Sequence, residues 1–275
     1  MDKICIKNLE MFAKHGIYPE ELSLGQKFVI SAELFVDLRQ AGKSDELEDS
    51  LDYGKVCHVI KSFVEKNSFR LIETVAERLA EKLLTENTTL QKVRLEIKKP
   101  WAPVAMHLEA VSIDIERSRH MAYISLGSNM GNREAYLRFA VNELEKAPCC
   151  RVCAVSEFID TEAYGNPELD RFLNACLALD TLLRPTELLE LLHEIEDKAE
   201  RKRDERWGPR TLDLDIVFYD DIVLSCDNLR IPHAEAHLRE FVLKPLSEIA
   251  PNLLHPTLGK TVKEIFDEIR NERYS

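Results

Sequence analysis

Apolar and polar positions alternate in three stretches of the first hundred or so residues. KFVISAELFVDL (27–38) has the β-branched and aromatic composition of a long strand. In VRLEIK (93–98) Val93, Leu95 and Ile97 share a face, and in AVSIDIE (110–116) Val111, Ile113 and Ile115 do the same. Between them the period lengthens to that of a helix. Val56, Val59, Ile60, Phe63 and Val64 form one apolar stripe, and Ile72, Val75, Ala76, Leu79 and Leu83 form a second. The order of strands, two helices and strands predicts an antiparallel sheet with both helices on one side. Copies of the chain closing their sheets into a barrel would cover the other face and protect the edges.

The pattern restarts at Met121. A strand (122–126) meets a Gly/Ser/Asn loop, then a helix with Leu137, Ala140, Val141 and Leu144 inward. Strands follow at about 152–159 and 174–181, then a helix opened by Pro185 and striped by Leu188, Leu191, Leu192 and Ile195. TLDLDIVFY is the last strand. The succession β-α-β-β-α-β is the ferredoxin-like arrangement, with loops and short helices expected beyond residue 222. The fold class is therefore α+β, and the chain divides into blocks 1–117 and 121–275.

A chain of 275 residues suits one large domain or two of ordinary size. No apolar run approaches the roughly 20 residues of a spanning helix. MDKICIKNLE lacks the layout of a secretory signal, so a cytoplasmic chain without a membrane partner is expected. Cys5, Cys57, Cys176 and Cys226 stand singly in apolar segments, where buried free thiols are expected. Cys150 and Cys153 form a C-x-x-C, but no second pair completes a zinc site.

Charge changes the picture at one place. The net charge is −12; residues 1–117 carry 17 cations against 20 anions, and residues 118–275 carry 20 against 29. Inside the more acidic block, RKRDERWGPRTLDLD (201–215) packs Arg201, Lys202, Arg203, Arg206 and Arg210 ahead of two aspartates. A nucleic-acid domain would show a broad basic face, so no nucleic-acid partner is expected. A module built on residues 201–210 would instead bind oligonucleotides with strong salt dependence.

Strand side chains alternate, so Asp213 and Asp215 point together, away from Leu212, Leu214, Ile216 and Phe218. Aspartate is a poor strand residue. A solvent-facing sheet surface would accommodate the pair, and so would a hard cation such as Mg²⁺, which resolves the repulsion of paired carboxylates. Arginine forks match phosphate oxygens, and Mg²⁺ with arginine is the usual clamp on a transferring phosphoryl group. GSNMGN (127–132) is not a G-x-G-x-x-G, and the chain has no P-loop.

YISLGSNMG (123–131), FLNA (172–175), RWGPRTLDLDI (206–216) and IPH…REFV (231–242) together resemble the hydroxymethyl-dihydropterin pyrophosphokinase family, in order and across the whole block. That family uses a ferredoxin-like domain to move a pyrophosphoryl group from ATP to the pterin hydroxymethyl, releasing AMP. The resemblance implies that Asp213 and Asp215 hold two Mg²⁺ ions with ATP as co-substrate. It places Glu196, Arg201, Arg203, Arg210, His233 and Arg239 along the nucleotide, with Trp207 shaping the site. Phe172 and Phe241 would sandwich the pterin, Asn174 would hydrogen-bond it, and Thr161 and Tyr164 would complete its pocket. Ala163 and Ala234 depart from the family's usual residues, in loop positions.

The first block is quieter by its residues alone. Glu21 follows HGIYPE (15–20), Tyr53 lies in LDYG (51–54), Glu73 opens a helix in LIETVAERLA (71–80), and KKPWAP (98–103) follows a strand. Taken together these stretches resemble dihydroneopterin aldolase over residues 1–117. The resemblance implies a tunnel fold, in which the sheets of several copies join into a barrel with active sites between subunits. It also implies retro-aldol cleavage of dihydroneopterin to hydroxymethyl-dihydropterin and glycolaldehyde, with no cofactor. Glu73 would anchor the pterin edge, Lys99 and Glu21 would act at its side chain, and Tyr53 of a neighbouring subunit would assist proton transfer. Lys99, rather than Lys98, aligns because it directly precedes Pro100. A zinc or clustered-histidine enzyme of similar fold does not fit Cys5, Cys57, His15, His58 and His107.

The expectation is a fused two-step folate enzyme, homo-oligomeric through its first domain, with small pterins and ATP as its ligands. Two alternatives stay open at this point: a first domain that is only an oligomerising scaffold, and one that is a pterin epimerase.

Overall fold

In the computed structural model, which describes residues 1–163, 170–200 and 210–273, the chain opens on a strand that simple alternation misses. β1 (Lys3–Ala13) pairs antiparallel with β2 (Gln26–Phe35), and its register slips between Ile6 and Leu9. This is a bulge, with Asn8 at φ 53°. It shifts the apolar positions by one and hides the strand from a period-two reading.

β3 (Lys92–Lys99) and β4 (Val111–Ser118) complete a four-stranded antiparallel sheet in the order β1-β2-β3-β4. A short helix α1 (Pro19–Leu24) joins the first two strands. After β2 come α2 (Ala41–Ser44) and the two long helices α3 (Tyr53–Lys66) and α4 (Ile72–Glu86). Val56, Ile60 and Val64 of α3, and Val75, Leu79 and Leu83 of α4, are buried, as are Phe28, Ile30, Leu34, Leu95 and Ile97 of the sheet. The opposite face is polar rather than apolar. Ion pairs Lys3–Glu33, Lys92–Glu116 and Arg94–Asp114 cross its strands. Each exposed pair contributes little to stability, but together they make a surface that needs no apolar cover. Cys5 lies on this face, opposite Glu33, and is exposed. Of the four single cysteines expected inside, only Cys176 is buried; Cys57 is half-buried and Cys226 exposed.

The chain divides into two compact units, Met1–Arg119 and His120–Ser275. The second runs β5 (His120–Ser128), α5 (Arg133–Lys146), β6 (Cys150–Val155), β7 (Ile159–Thr161), β8 (Phe172–Thr181), α6 (Pro185–Lys198) and β9 (Asp213–Tyr219). Its sheet is antiparallel in the order β6-β8-β5-β9, with β7 also paired to β8. The single strand expected at 152–159 is broken at Ser156. There the side-chain hydroxyl, rather than a backbone carbonyl, accepts the Cys176 N–H.

Period-two alternation sends the strand residues to two cores. Leu126, Leu177, Leu179 and Leu214 pack with Leu137 and Leu144 of α5 and Leu188 and Leu192 of α6. Cys176 and Val217 pack instead with Val242, Leu243 and Leu246 of α7 (Glu240–Ile249) and Ile265 and Phe266 of α8 (Val262–Arg273). A small hairpin, β10 (Leu224–Cys226) and β11 (Leu229–Ile231), precedes α7. No helix among the described residues is long and apolar enough to cross a membrane.

Candidate active sites

In the first unit the polar centre is Glu21, only 7% exposed. It stands at the third position of α1 and reaches back to the helix start, where its Oε2 accepts the Ile17 and Tyr18 N–H groups, both at 3.0 Å. Its Oε1 accepts Gln26 Nε2 at 2.9 Å and pairs with Lys99 Nζ. Burial opposes the charge on this carboxylate. The bonds from Lys99, the Tyr18 amide and Gln26 outweigh it and hold the pKa below the ordinary glutamate value. The carboxylate packs on Gly16, where an added Cβ would stand 2.3 Å from its carboxyl carbon and φ is 152°. Only glycine fits there.

Alternation in β3 decides which lysine enters. Lys99 continues the inward row of Val93, Leu95 and Ile97, whereas Lys98 faces outward and pairs with Glu96 at 3.2 Å. Tyr53 is exposed in the first turn of α3, beside the N-cap Asp52, and Glu73 is exposed in the first turn of α4. Among the described residues, neither shares a hydrogen bond or ion pair with the Glu21–Lys99 pair.

In the second unit the site is a property of register. Asn174 of β8, Gly127 of β5 and Asp213 of β9 lie in one row across three strands, and Cys176, Ser125 and Asp215 in the next. Directly paired residues share a face, so Asn174, Asp213 and Asp215 look the same way. Gly127 keeps the row open. A Cβ there would lie 3.1 Å from Asn174 Oδ1, 3.8 Å from Phe172 and 3.9 Å from Asp213. The Asn174 amide is oriented by Thr161, whose Oγ1 accepts its Nδ2 at 2.7 Å. Phe241 lies at the start of α7, with the Arg239 guanidinium 5.8 Å from its ring centre.

Arg210 pairs with Asp213. Its backbone is gripped from both directions by Asn129, whose Oδ1 accepts the Arg210 N–H at 2.6 Å and whose N–H reaches the Arg210 carbonyl at 3.1 Å. His233 is docked beside β9 by a 3.0 Å bond from its N–H to the Val217 carbonyl, and Arg239 pairs with Glu235. Burial and the neighbouring Asp213 push the Asp215 pKa up, against the opposing charges of His233, Arg239 and Arg210. Two carboxylates on one strand face are a donor set that suits a hard, oxygen-preferring cation such as Mg²⁺. Among the described residues no third His, Cys, Asp or Glu side chain joins them as a metal cluster.

One residue expected along the nucleotide also holds the sheet. Glu196 of α6 is fully buried, and its Oε1 accepts the Leu214 N–H at 2.8 Å. It fixes the strand between the two aspartates. Losing that acceptor would leave a buried N–H unsatisfied, at a cost of about 1–3 kcal/mol. Tyr164, Arg201, Arg203 and Trp207 lie outside the described residues. Sequence reasoning passed over Gln26, Gly127 and Asn129. The glycine and asparagine stood in a quoted motif, but their partners are more than 40 residues away in the chain.

Two α+β units, each gathering charged and polar groups on one antiparallel sheet, mark a two-site chain of the enzyme class. Family models name the pair. Residues 4–116 match dihydroneopterin aldolase, and residues 123–251 match 7,8-dihydro-6-hydroxymethylpterin-pyrophosphokinase. The second unit therefore belongs to the pyrophosphokinase family, and the first carries the aldolase match. It is 29% identical, over 96% of its length, to the Folic acid synthesis protein FOL1 of Dictyostelium discoideum, of which it covers 44%. It is 44% identical, over 52% of its length, to the 2-amino-4-hydroxy-6-hydroxymethyldihydropteridine pyrophosphokinase of Methylorubrum extorquens, covering 89% of that protein. A crystal structure of E. coli dihydroneopterin aldolase in complex with neopterin aligns with 43% of this chain and all of its own, at 36% identity and a TM-score of 0.41. The chain spans less than half the length of the first multidomain relatives it matches.

Proposed function

We propose that the chain performs two consecutive reactions of folate synthesis. Domain 1–117 would cleave dihydroneopterin to hydroxymethyl-dihydropterin and glycolaldehyde. Domain 121–275 would transfer a pyrophosphoryl group from ATP to that hydroxymethyl and release AMP. The observation that carries this reading is the row Asn174–Gly127–Asp213, which sets an amide able to read a heterocycle edge beside a carboxylate pair suited to phosphate chemistry. We read the first sheet as one copy's share of a tunnel fold. Its edge strands β1 and β4 would pair with further copies in a homo-oligomeric barrel. The order β6-β8-β5-β9 reads as ferredoxin-like.

In the first reaction Glu73 would hold the guanidine-like edge of the pterin through two hydrogen bonds. A proton leaves the second side-chain hydroxyl, the adjoining carbon–carbon bond breaks, and its electron pair passes into the pterin ring. Glycolaldehyde departs, and protonation of the carbon left on the ring completes the hydroxymethyl group. Lys99 Nζ, seated on Glu21, would move these protons directly or through water, with Tyr53 of a neighbouring copy assisting. The ring is the electron sink, so the step uses no Schiff base and no metal.

In the second reaction Phe172 and Phe241 would hold the pterin between aromatic faces, with its edge on Asn174. The hydroxymethyl oxygen attacks the β-phosphorus in line as AMP leaves, a displacement governed by positioning and charge neutralisation. Arg210, His233 and Arg239 would face the phosphates, together with Arg201, Arg203 and Trp207. Asp213 and Asp215 would hold the Mg²⁺ ions. When bound, Mg²⁺ supplies neutralisation and alignment of the phosphate oxygens.

Supplying dihydroneopterin with and without ATP–Mg²⁺ tests both halves. Glycolaldehyde is expected in either case, and the pyrophosphorylated pterin with AMP only when ATP is present. Ordinary AMP formation from added hydroxymethyl-dihydropterin, with no glycolaldehyde from dihydroneopterin, would reduce the first domain to a scaffold. An inverted side chain in place of cleavage would make it an epimerase.

Gly127→Ala probes the pterin wall. The new Cβ would press on Asn174 Oδ1, and losing that amide contact is expected to weaken pterin binding about tenfold, the equivalent of one hydrogen bond. Fluorescence titration should show ATP affinity unchanged. Unaltered pterin affinity would remove Asn174 from the binding surface.

A further inference from the structure

His15 is fully buried, and the reaction described above gives it no part. Three hydrogen bonds stitch residues 14–16 to residues 68–69. The Phe69 N–H donates to His15 Nδ1 at 3.1 Å, the Gly16 N–H to the Phe69 carbonyl at 3.0 Å, and Ser68 Oγ to the Lys14 carbonyl at 2.6 Å. Because Nδ1 accepts, the ring proton belongs on Nε2, on the side of the Val64 backbone. The imidazole is stacked on Phe69, with ring centres 5.7 Å apart, and meets Phe28 edge-on at 5.3 Å. Burial, aided by the charge of Lys99 and opposed by the Val64 backbone, keeps its pKa below the ordinary histidine value.

The stitch joins the two halves of the first site. On one side, Gly16 abuts the Glu21 carboxylate, and the next two N–H groups bond to it. On the other side, Phe69 precedes Glu73 by four residues, just ahead of α4. An apolar ring would fill the same volume but could not accept the Phe69 N–H. What the imidazole adds is its Nδ1 acceptor.

We propose that His15 is a positioning residue of the first site. As a neutral acceptor locked to Phe69, it sets the spacing between the Glu21–Lys99 pair and Glu73. The inference rests on the aldolase reading, because spacing matters to the chemistry only if one substrate spans both groups. A misplacement of about 1 Å can cost roughly 10²-fold in rate.

The test uses the full chain with His15→Leu, which removes the acceptor, and His15→Asn, whose Oδ1 can stand in for Nδ1. His15→Leu is expected to lower kcat for glycolaldehyde release by about 10²-fold, with KM nearly unchanged, and His15→Asn to recover most of that loss. AMP formation from added hydroxymethyl-dihydropterin should be equal in all three proteins. Hydrogen exchange of peptides covering Gly16 and Phe69 should quicken in His15→Leu and stay slow in His15→Asn. Equal losses in the two variants, or a loss confined to KM, would overturn the positioning role. Unchanged exchange in His15→Leu would overturn the tie itself. A wild-type chain that releases no glycolaldehyde would instead bring down the aldolase reading, and the role with it, whatever the exchange data show.

Discussion

Replacing Asp213 or Asp215 with alanine is expected to cut ATP-dependent pyrophosphoryl transfer by about 10²–10³-fold or more, the scale of losing one electrostatic anchor in a preorganised site. The two positions face one way on β9, flanked by Asn174 and Gly127 in the next strands and by Arg210, His233 and Arg239. Neither aspartate belongs to an apolar core; the strand is held by Leu214 and Ile216 behind it and by the Glu196–Leu214 bond. Loss of either carboxylate also relieves the repulsion between them, so the melting temperature should hold or rise. Asp215→Asn sharpens the test, because it keeps shape and hydrogen-bonding capacity and removes only charge. AMP production should be followed over a Mg²⁺ titration, alongside a thermal melt. Mg²⁺-dependent turnover within tenfold of wild type in either alanine variant would remove these residues from the metal site.

The parts of this arrangement that alternation governs could be read from the chain alone. In TLDLDIVF, period two put both aspartates on one face; Lys99 was chosen over Lys98 only for its place before Pro100, and the folded strand sets it inward. Helices α3, α4, α5 and α6 followed from stripes at helical spacing. β1 did not, because the bulge at Asn8 moves its apolar residues out of step halfway along. Register between distant strands is not written locally either. That Gly127 would stand between Asn174 and Asp213 depends on how three strands slide against one another, which only the packed sheet decides. Glu196 adds a role the chain did not show: the family resemblance set it along the nucleotide, and the packed unit has its carboxylate accept the Leu214 N–H.

Lys99→Met is expected to abolish most of the retro-aldol activity, by about 10²–10⁴-fold, the usual range for a positioned proton-transfer group, and to destabilise the first unit as well. The lysine side chain is 11% exposed and its partner Glu21 7%, so the change strands a carboxylate in a dry site. Breaking a buried pair costs about 3–5 kcal/mol. The bonds from Ile17, Tyr18 and Gln26 remain, which places this variant at about the lower figure. The pH dependence gives the sign. Glu21 has a folded pKa below the ordinary value, so its contribution is fully present above that value and is lost as pH falls through the lowered one. Without Lys99 its lowering influence is gone and the pKa moves upward, which shrinks the contribution at neutral pH. The melting temperature of Lys99→Met should therefore lie furthest below wild type near pH 7. The gap should close only as pH falls through the lowered wild-type value, where the carboxylate is protonated in both proteins. Adding Glu21→Gln to Lys99→Met should restore part of the lost stability, because the stranded charge is gone, but none of the activity. A melting difference that is flat across pH would mean that Lys99 contributes by packing alone. A double variant no more stable than Lys99→Met would mean that Glu21 is already neutral when its partner is lost.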